Sequence, residues 1–263
     1  MSIYTMGIDV GSTASKCVIM KDGQEIVAKS LVPVGTGTSG PARAIAEVLD
    51  NAKMTRTQMD FVLATGYGRN SLDGLADLQM SELSCHAKGA TYLFPDVHTV
   101  VDIGGQDVKV IEIENGMMKN FVMNDKCAAG TGRFYEAMAR SFEMTLPEFS
   151  NLSLTAKNVI PITAQCTVFA ESEVITLVGE GKPMDEIAAG IQMAVAKRCF
   201  VMSKKAGATD AITLTGGCAK NAGLKQAIEH VLKLKVIDLK TDPQLMGALG
   251  AAEYARQKGM ARV

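Results

Sequence analysis

The sequence predicts an α/β protein built from two similar lobes, and two observations support this prediction. Residues 8–23 (IDVGSTASKCVIMKDG) and residues 101–116 (VDIGGQDVKVIEIENG) align over their whole length without a gap. Around both copies, apolar strands alternate with helical segments, as in α/β architectures. Four of the aligned pairs are identical: Asp9/Asp102, Gly11/Gly104, Lys16/Lys109 and Gly23/Gly116.

The predicted strands are apolar or β-branched runs that end at turn residues. The dipeptides Asp22-Gly23 and Asn115-Gly116 are typical of tight hairpin turns, so each copy of the repeat is expected to form a hairpin. We predict strands over residues 3–9, 16–20, 25–32, 61–64, 99–104, 108–114, 119–123, 211–215 and 235–239.

The predicted helices begin at recognisable start signals. Pro41 stands at an early helical position, and Ser81 followed by Glu82 opens a second helix. Two further helices are expected to follow Cys127 and Cys166 directly. We predict helices over residues 41–52, 82–93, 128–142, 167–179, 184–205, 220–232 and 243–257.

The repeat places the division between the lobes near residue 96. This predicts a first lobe over residues 1–96 and a second lobe over residues 97–263. The last helix, over about 243–257, is a candidate to pack back on the first lobe.

Composition excludes several functional classes. The chain has 263 residues, of which 47% are hydrophobic and 21% charged, so it can bury a normal core. Its net charge of −1 gives no general attraction to nucleic acid or to an anionic membrane. No apolar run reaches the roughly 18 residues of a membrane span. The opening MSIYTMGIDVG lacks a leader pattern, so we expect a cytoplasmic protein.

The turns that follow the predicted strands carry residues suited to phosphate and metal binding. Each repeat copy has an aspartate and then a turn of small residues, which offers a carboxylate to a metal and backbone amides to phosphate. Residues 11–16 (GSTASK) do not form a P-loop, because the second glycine is missing and a strand follows. In a third segment, Gly216-Gly217 separates a strand from a helix, where a flat ring can approach the backbone. We predict a nucleotide held between two halves.

These three segments resemble the phosphate and adenosine motifs of the actin, sugar-kinase and Hsp70 ATPase superfamily. The resemblance implies two ribonuclease-H-like lobes with ATP or ADP and Mg²⁺ in an interlobe cleft. Asp9 and Asp102 would serve the metal, and Asp107 or Glu82 would orient the attacking water. The nucleotide would be bound at its phosphates by Gly11, Ser12, Thr13, Ala14, Ser15, Lys16, Gly104, Gly105 and Gln106, and at its nucleoside by Gly216, Gly217 and Gln244.

Two of the six cysteines are candidate metal ligands. Cys127 and Cys166 each precede a predicted helix, whose N-terminus favours the thiolate that binds iron–sulfur clusters. Two thiolates are half the set that a [4Fe–4S] cluster takes, and a two-fold dimer supplies the other half. By spacing alone, inert thiols explain the pair better, since no CxxC motif is present. The remaining cysteines are interpreted as ordinary thiols: Cys17, Cys85, Cys199 and Cys218.

The order of the motifs along the chain indicates a resemblance to a narrower family within this superfamily. The chain contains, in sequence, IDVGSTASK, ATGYGRN, ELSCHAKGA, DIGGQDVK, NDKCAAGTGRF, CTVFAESEVI, TGGCAKN and GALGAA. Over nearly its whole length it resembles the activators of 2-hydroxyacyl-CoA dehydratases, close to the 2-hydroxyglutaryl-CoA type, within the BadF/BadG/BcrA/BcrD ATPase family. Cys218 departs from the family pattern, in which a small residue without a thiol is common at this position.

That resemblance implies a function and a set of partners. A homodimer would hold one [4Fe–4S] cluster through Cys127 and Cys166 of both subunits. Ferredoxin or flavodoxin would reduce the cluster, and ATP hydrolysis would drive one electron onto the dehydratase, as in anaerobic amino-acid fermentation. The acyl-CoA of that dehydratase stays open.

Two other functions fit parts of the pattern. A small-molecule kinase, for a sugar or an acyl acid, would need a substrate-directed acid or base, for which Asp107 is the one clear candidate. An actin-like filament or scaffold would need an extra subdomain, for which 263 residues leave little room.

Overall fold

The computed structural model describes residues 2–72, 74–124, 126–163, 166–208 and 210–260. Within these ranges the strands are β1 (Tyr4–Val10), β2 (Ser15–Lys21), β3 (Glu25–Val32), β4 (Phe61–Thr65), β5 (Leu78–Gln79), β6 (Thr99–Ile103), β7 (Val108–Glu114), β8 (Met117–Asn124) and β9 (Ile212–Thr215). The α-helices are α1 (Gly40–Ala52), α2 (Glu82–Leu93), α3 (Gly132–Ser141), α4 (Leu146–Ser153), α5 (Thr167–Gly179), α6 (Met184–Ala206), α7 (Ala222–Leu232) and α8 (Met246–Met260). Short 3₁₀ helices lie at Arg56–Gln58, Arg69–Leu72, Gly217–Lys220 and Pro243–Leu245.

Internal contacts divide the chain into two compact units. Unit 1 comprises Met1–Val97, Ile113–Met118 and Leu239–Val263, and unit 2 comprises His98–Glu112 and Lys119–Asp238. The C-terminal helix α8 therefore groups with the N-terminal strands, while the rest of the sequence after β6 largely forms unit 2.

Unit 1 is a five-stranded sheet with helices packed on it. The strand order is β3-β2-β1-β4-β5, in which β1 pairs antiparallel with β2 and parallel with β4. Helix α8 contacts β1 closely, because Gly7 has no side chain: a Cβ there would overlap the carbonyl oxygen of Ala248. The backbone of β1 thus lies directly beneath α8, which buries a row of alanines and glycines against it.

Unit 2 repeats the first part of this topology. Its sheet has the order β8-β7-β6-β9, with β6 antiparallel to β7 and parallel to β9. An aromatic cluster lies at the centre of its core, where the Phe149 ring is 6.4 Å from Tyr135 and 5.3 Å from Phe142. Helices α3 to α7 surround this cluster and the sheet.

Most predicted elements are confirmed, and two predictions are wrong. The helix predicted over 128–142 begins only at Gly132, because Ala128 to Thr131 form a turn in which the Thr131 hydroxyl donates to the Ala128 carbonyl at 2.7 Å. The strand predicted over 235–239 is reduced to one bridge between Ile237 and Thr213, at the edge of a four-residue β9.

The predicted elements do not include α4 as a separate helix. Thr145 caps it through a capping box with Glu148, a local signal that the predicted 128–142 helix did not include. Within the described residues, no helix has the length and apolarity needed to cross a membrane.

Candidate functional site

The duplicated hairpins have the same backbone design in both units. The amide of Gly11 donates to the Ala14 carbonyl at 3.0 Å, and in unit 2 the amide of Gly104 donates to the Asp107 carbonyl at the same distance. The far ends match too: Asp22-Gly23 and Asn115-Gly116 all have positive φ. Each unit therefore presents the same tight turn at the end of its first strand.

A carboxylate–ammonium pair crosses each hairpin next to this turn. In unit 1, Asp9 lies opposite Lys16 in the strand register, with 3.1 Å between Lys16 Nζ and Asp9 Oδ2. In unit 2, Asp102 lies opposite Lys109, with 3.4 Å between Nζ and Oδ2. Both aspartates are buried. A charge of opposite sign at this distance offsets part of the cost of burying a carboxylate.

Lys109 forms ion pairs with two carboxylates, whereas its counterpart in unit 1, Lys16, pairs with Asp9. The Lys109 ammonium also lies 2.7 Å from Asp107 Oδ1, so one buried lysine holds two carboxylates of the same turn. The sequence identified Lys109 only as a repeated residue and assigned it no role in the site. Since the strand register alone sets Lys109 opposite Asp102, the repeated Asp and Lys were the available signal.

Two threonines form a further pair of matching positions that is not among the predicted site residues. Thr65 pairs with Asp9 across β1 and β4, and Thr215 pairs with Asp102 across β6 and β9. The Thr215 hydroxyl donates to Asp102 Oδ1 at 2.7 Å. The available signal was the dipeptide Thr-Gly at the end of an apolar strand in both units.

The glycines that follow these threonines allow the close approach. Gly66 and Gly216 have φ of +91° and +81°, a backbone region that glycine adopts without strain. A Cβ at Gly216 would lie 2.9 Å from Asp102 Oδ1, and one at Gly66 would overlap Asp9 Oδ1. Each buried carboxylate is thus covered by a glycine backbone.

The predicted phosphate-binding residues of unit 1 differ from one another in exposure and in hydrogen bonding. Ser12 and Thr13 are half-buried in the turn. By contrast, Ala14 and Ser15 are buried, and the Ser15 hydroxyl donates to the Val34 carbonyl at 2.9 Å. The Lys16 ammonium forms an ion pair with the Asp9 carboxylate. The hydroxyls of Ser12 and Thr13 and the turn backbone are the groups suited to an outside ligand.

In unit 2, the predicted phosphate turn is joined to a helix. The amide of Gly132 donates to the Gly104 carbonyl at 2.8 Å, and the amide of Arg133 donates to the Gly105 carbonyl at 3.0 Å. Two backbone amides at the start of α3 therefore find their hydrogen-bond acceptors in the predicted phosphate turn. Gln106 is exposed at the tip of this turn.

The remaining predicted nucleotide residues lie at element ends. Glu82 is the first residue of α2, and Gln244 lies in the 3₁₀ helix before α8. Gly217 opens the 3₁₀ helix that follows β9. In unit 1, a Cβ at Gly247 would lie 2.8 Å from Asp9 Oδ2 and 3.1 Å from His86 Nε2, so the start of α8 borders the Asp9 carboxylate.

Cys127 and Cys166 line one open pocket of unit 2, with a volume of about 500 Å³. Cys166 is exposed and caps the N-terminus of α5, as predicted. Cys127 is half-buried and lies five residues before α3, so the prediction that a helix follows it directly is wrong. Its position is set instead by a hydrogen bond from the Asn124 side chain to its carbonyl, at 3.1 Å.

The chemistry of this pocket fits a cluster ligated by thiolates. Two soft sulfur donors share its wall with two cations, Arg198 and Lys205, and no acidic side chain lines it among the described residues. Cations offset the negative charge that thiolates and an iron–sulfur cluster bring. The pocket supplies two of the four sulfur ligands that a [4Fe–4S] cluster takes.

The other four cysteines are unsuited to that role. Cys17, Cys85, Cys199 and Cys218 are all buried. Burial raises the pKa of the Cys85, Cys199 and Cys218 thiols to about 12, and it also raises the pKa of the Cys17 thiol. These side chains stay protonated at neutral pH, whereas a metal ligand must be a thiolate.

Comparison with known proteins assigns the chain to a family. The model of the BadF/BadG/BcrA/BcrD ATPase family matches residues 6–255. The chain belongs to this family. The (R)-2-hydroxyglutaryl-CoA dehydratase activating ATPase of Acidaminococcus fermentans is 58% identical to it over 260 residues, which are 98% of this chain and 99% of that protein.

Solved structures agree with the family assignment. The activator of the 2-hydroxyisocaproyl-CoA dehydratase from Clostridium difficile, solved with bound ADPNP, superimposes with a TM-score of 0.92 at 44% identity, over 99% of this chain and 97% of that one. The ROK hexokinase of Thermus thermophilus superimposes with a TM-score of 0.54 at 14% identity, over 99% of this chain and all of that one. This second likeness shows the shared fold, that of the actin and sugar-kinase ATPases, as the sequence predicted.

We expect Gly216→Ala to destabilise this BadF/BadG/BcrA/BcrD ATPase. The new Cβ meets the Ile103 carbonyl and Asp102 Oδ1, and a positive φ strains any other residue by about 1–3 kcal/mol. Chemical denaturation measures the free energy of unfolding. Gly179→Ala, with no heavy atom within 4 Å of its Cβ, is the control and should not lower stability, because alanine favours the helix α5 more than glycine does. Equal stability of the two variants would contradict the assigned packing.

We expect iodoacetamide near neutral pH to alkylate two of the six cysteines and to leave the other four unmodified in the native protein. In apoprotein kept reduced and oxygen-free, Cys127 and Cys166 should react, because they are the accessible thiols. The four buried thiols should react only after denaturation, since burial keeps them protonated. Peptide mass mapping gives the result, and rapid labelling of Cys199 in the native protein would refute this division.

Proposed function

We propose that this chain is an ATP-dependent one-electron donor that activates a 2-hydroxyacyl-CoA dehydratase. Family membership and the dehydratase activators among its relatives support the proposal. The observation that carries it is a short path of hydrogen bonds and backbone: the carbonyls of Gly104 and Gly105 accept hydrogen bonds from the start of α3, and Cys127 lies five residues before that helix.

The nucleotide roles follow the surroundings of each residue. Asp9 and Asp102 serve Mg²⁺, because each is a buried carboxylate, oriented by a lysine, with oxygen atoms of the kind that Mg²⁺ prefers. The turn residues, especially Ser12, Thr13 and the backbone at 104–106, contact the phosphates of ATP. Gly216, Gly217 and Gln244 border the nucleoside.

Two residues are candidates to orient the attacking water. Asp107 shares Lys109 with Asp102, and this ion pair holds its carboxylate beside the phosphate turn. Glu82 begins α2 in unit 1. An ionised carboxylate next to the transferred phosphoryl group supplies the orientation on which such reactions mainly depend.

A [4Fe–4S] cluster held by Cys127 and Cys166 of two subunits supplies the electron when it is bound. A homodimer is supported by the surface beside the pocket: α5 exposes Val168, Phe169 and Ile175, with 67%, 69% and 57% of their surface accessible. Exposed apolar patches of this kind are usual at contact sites between proteins. A second copy covering this face would bring two more cysteines to the pocket.

The link between nucleotide and cysteine runs through one turn. Residues 128–131 connect Cys127 to α3, and the Arg198 guanidinium donates to the Ala129 carbonyl at 2.8 Å. Any shift of the phosphate turn between ATP and ADP is passed to α3 through the Gly104 and Gly105 carbonyls. We infer that this shift changes the position of Cys127, and with it the exposure and potential of the bound cluster.

The remaining partners follow from the same proposal. Ferredoxin or flavodoxin would reduce the cluster, and the protein would work in the cytoplasm of an anaerobic cell.

The kinase alternative has less support, because the likeness to a hexokinase is limited to the fold. The named relatives act with different acyl-CoA dehydratases, so a panel of these enzymes is the assay that identifies the partner.

We expect Cys127→Ala and Cys166→Ala to lose iron and acid-labile sulfide after oxygen-free purification. Each substitution removes two of the four ligands of a cluster shared by two subunits. ADP affinity should stay within about twofold, because neither residue lies in the phosphate turns. Cys199→Ala is the control and should retain iron. Wild-type iron content in either ligand variant would refute the assignment.

We expect Asp102→Asn to lower the rate of ATP hydrolysis by about 100-fold or more, on the order of other losses of transition-state charge stabilisation. The amide removes the charge that holds Mg²⁺ but keeps the shape of the side chain and its contact with Thr215. Iron content should not change. Asp210→Asn, an exposed aspartate of the same unit, should hydrolyse ATP normally. Phosphate release at saturating ATP is the measurement, and a normal rate in Asp102→Asn would exclude this role.

A further inference from the structure

The C-terminal half of α6 carries a basic stripe beside the cysteine pocket. We define the basic stripe as Lys197, Arg198, Val201, Lys204 and Lys205. The four cations lie three or four residues before or after Val201, so all five residues share one face of the helix. From Ile187 to Ala206 the helix contains no acidic residue. Four positive charges on one face contrast with the near-neutral chain as a whole.

Helix stability alone does not explain this stripe. Cations in the last turn interact favourably with the helix dipole, which accounts for Lys204 and Lys205. Lys197 and Arg198 lie about two turns earlier, where that effect has faded. Among the described residues, no carboxylate forms an ion pair with Lys197, Lys204 or Lys205. These three lysines are exposed to solvent, whereas Arg198 is half-buried and its guanidinium donates to the Ala129 carbonyl.

The stripe is continuous with the wall of the cysteine pocket. Arg198, Val201 and Lys205 line that pocket together with Cys127 and Cys166. Lys197 and Lys204 extend the same face away from it, and the Lys204 ammonium lies 5.5 Å from the centre of the Phe200 ring. A protein bound on this face lies next to the two sulfur ligands.

We propose that the basic stripe is the docking site of an acidic electron-carrier protein that reduces the cluster. This proposal rests on the proposed function for the identity of the redox group, and it adds where the reductant binds and through which residues. Electron transfer slows steeply with distance, so the reductant must dock beside the cysteines. A surface of four cations selects a partner with negative charge at its own redox centre.

The size of the stripe favours a carrier over a long-lived partner. From Lys197 to Lys205 it spans roughly 12 Å of helix, and its apolar part is Val201, half of whose surface is exposed. Small, charged contact areas give short-lived encounters that long-range attraction speeds up. A carrier that must arrive, donate one electron and leave needs an encounter of this type.

A second copy of this chain is the less suitable occupant. In a symmetric contact through this face, the stripes of the two copies would meet with like charge, which is costly. The apolar face of α5, with Val168, Phe169 and Ile175, offers the second copy a surface without that repulsion. The two faces beside the pocket thus suit different partners.

The test is the double variant Lys197→Glu/Lys204→Glu, which reverses two charges of the stripe without touching the pocket wall. The probe is a reduced acidic ferredoxin, mixed with the oxidised holoprotein in an oxygen-free stopped-flow instrument. At low ionic strength we expect the second-order rate constant of cluster reduction to fall about tenfold or more, since electrostatic steering contributes about 10–1,000-fold. Rising salt should bring the rates of variant and wild type together.

Three controls separate the possible outcomes. Lys157→Glu/Lys182→Glu makes the same charge change at exposed lysines elsewhere in unit 2 and should reduce at the wild-type rate. Photoreduced deazaflavin, a small neutral reductant, should reduce both variants equally. After that chemical reduction, ATP-dependent activation of a dehydratase by the stripe variant should also be normal. An unchanged ferredoxin rate, or a defect confined to dehydratase activation, would overturn the proposal.

A binding measurement keeps this test independent of the proposed function. Biolayer interferometry with oxidised ferredoxin does not require iron on this chain. Weaker binding of the stripe variant together with iron-free wild-type protein would defeat the proposed function and retain the docking face. Iron-containing protein that binds ferredoxin equally well with and without the stripe charges would defeat the docking face and retain the proposed function.

Discussion

The structure of each unit depends on a buried aspartate at the end of its first strand. Asp9 and Asp102 are tolerated in the interior because a lysine on the neighbouring strand lies opposite each of them. The hairpin register creates this pairing, since residues seven apart face each other across a four-residue turn. The same constraint explains why the carboxylates are fixed in orientation before any ligand binds.

The two units use this shared arrangement differently. In unit 1 the turn is joined to the segment that follows β3, since the Thr36 amide donates to the Gly11 carbonyl and the Ser15 hydroxyl donates to the Val34 carbonyl. In unit 2 the equivalent turn accepts hydrogen bonds from the start of α3, so a helix of the cysteine region is tied to it. The two turns are thus similar, and we propose that both contact phosphate, while the turn of unit 2 is also linked to the cysteine region.

The two surfaces beside the cysteine pocket differ in chemistry, since one is apolar and the other is basic. Helix α5 exposes an apolar face, the C-terminal half of α6 exposes a basic one, and the pocket itself contains two cations with two sulfurs. Interfaces of lasting complexes are apolar, whereas brief encounters rely on charge. The apolar face therefore suits the proposed contact with a second copy, and the basic face suits the proposed contact with an electron carrier.

Much of this protein was determined by the sequence alone. The gapless repeat predicted two hairpins that each contain a repeated Asp and Lys, and the motif order predicted the family, because such patterns depend only on residues close together in the chain. Only the tertiary structure decided that Lys109 holds two carboxylates, that Thr65 and Thr215 pair in register with the repeated aspartates, and that α3 begins at Gly132. It also decided that Cys127 and Cys166 share one pocket with α6. These contacts join residues distant in sequence, and their geometry is set by packing between elements, which local patterns do not encode.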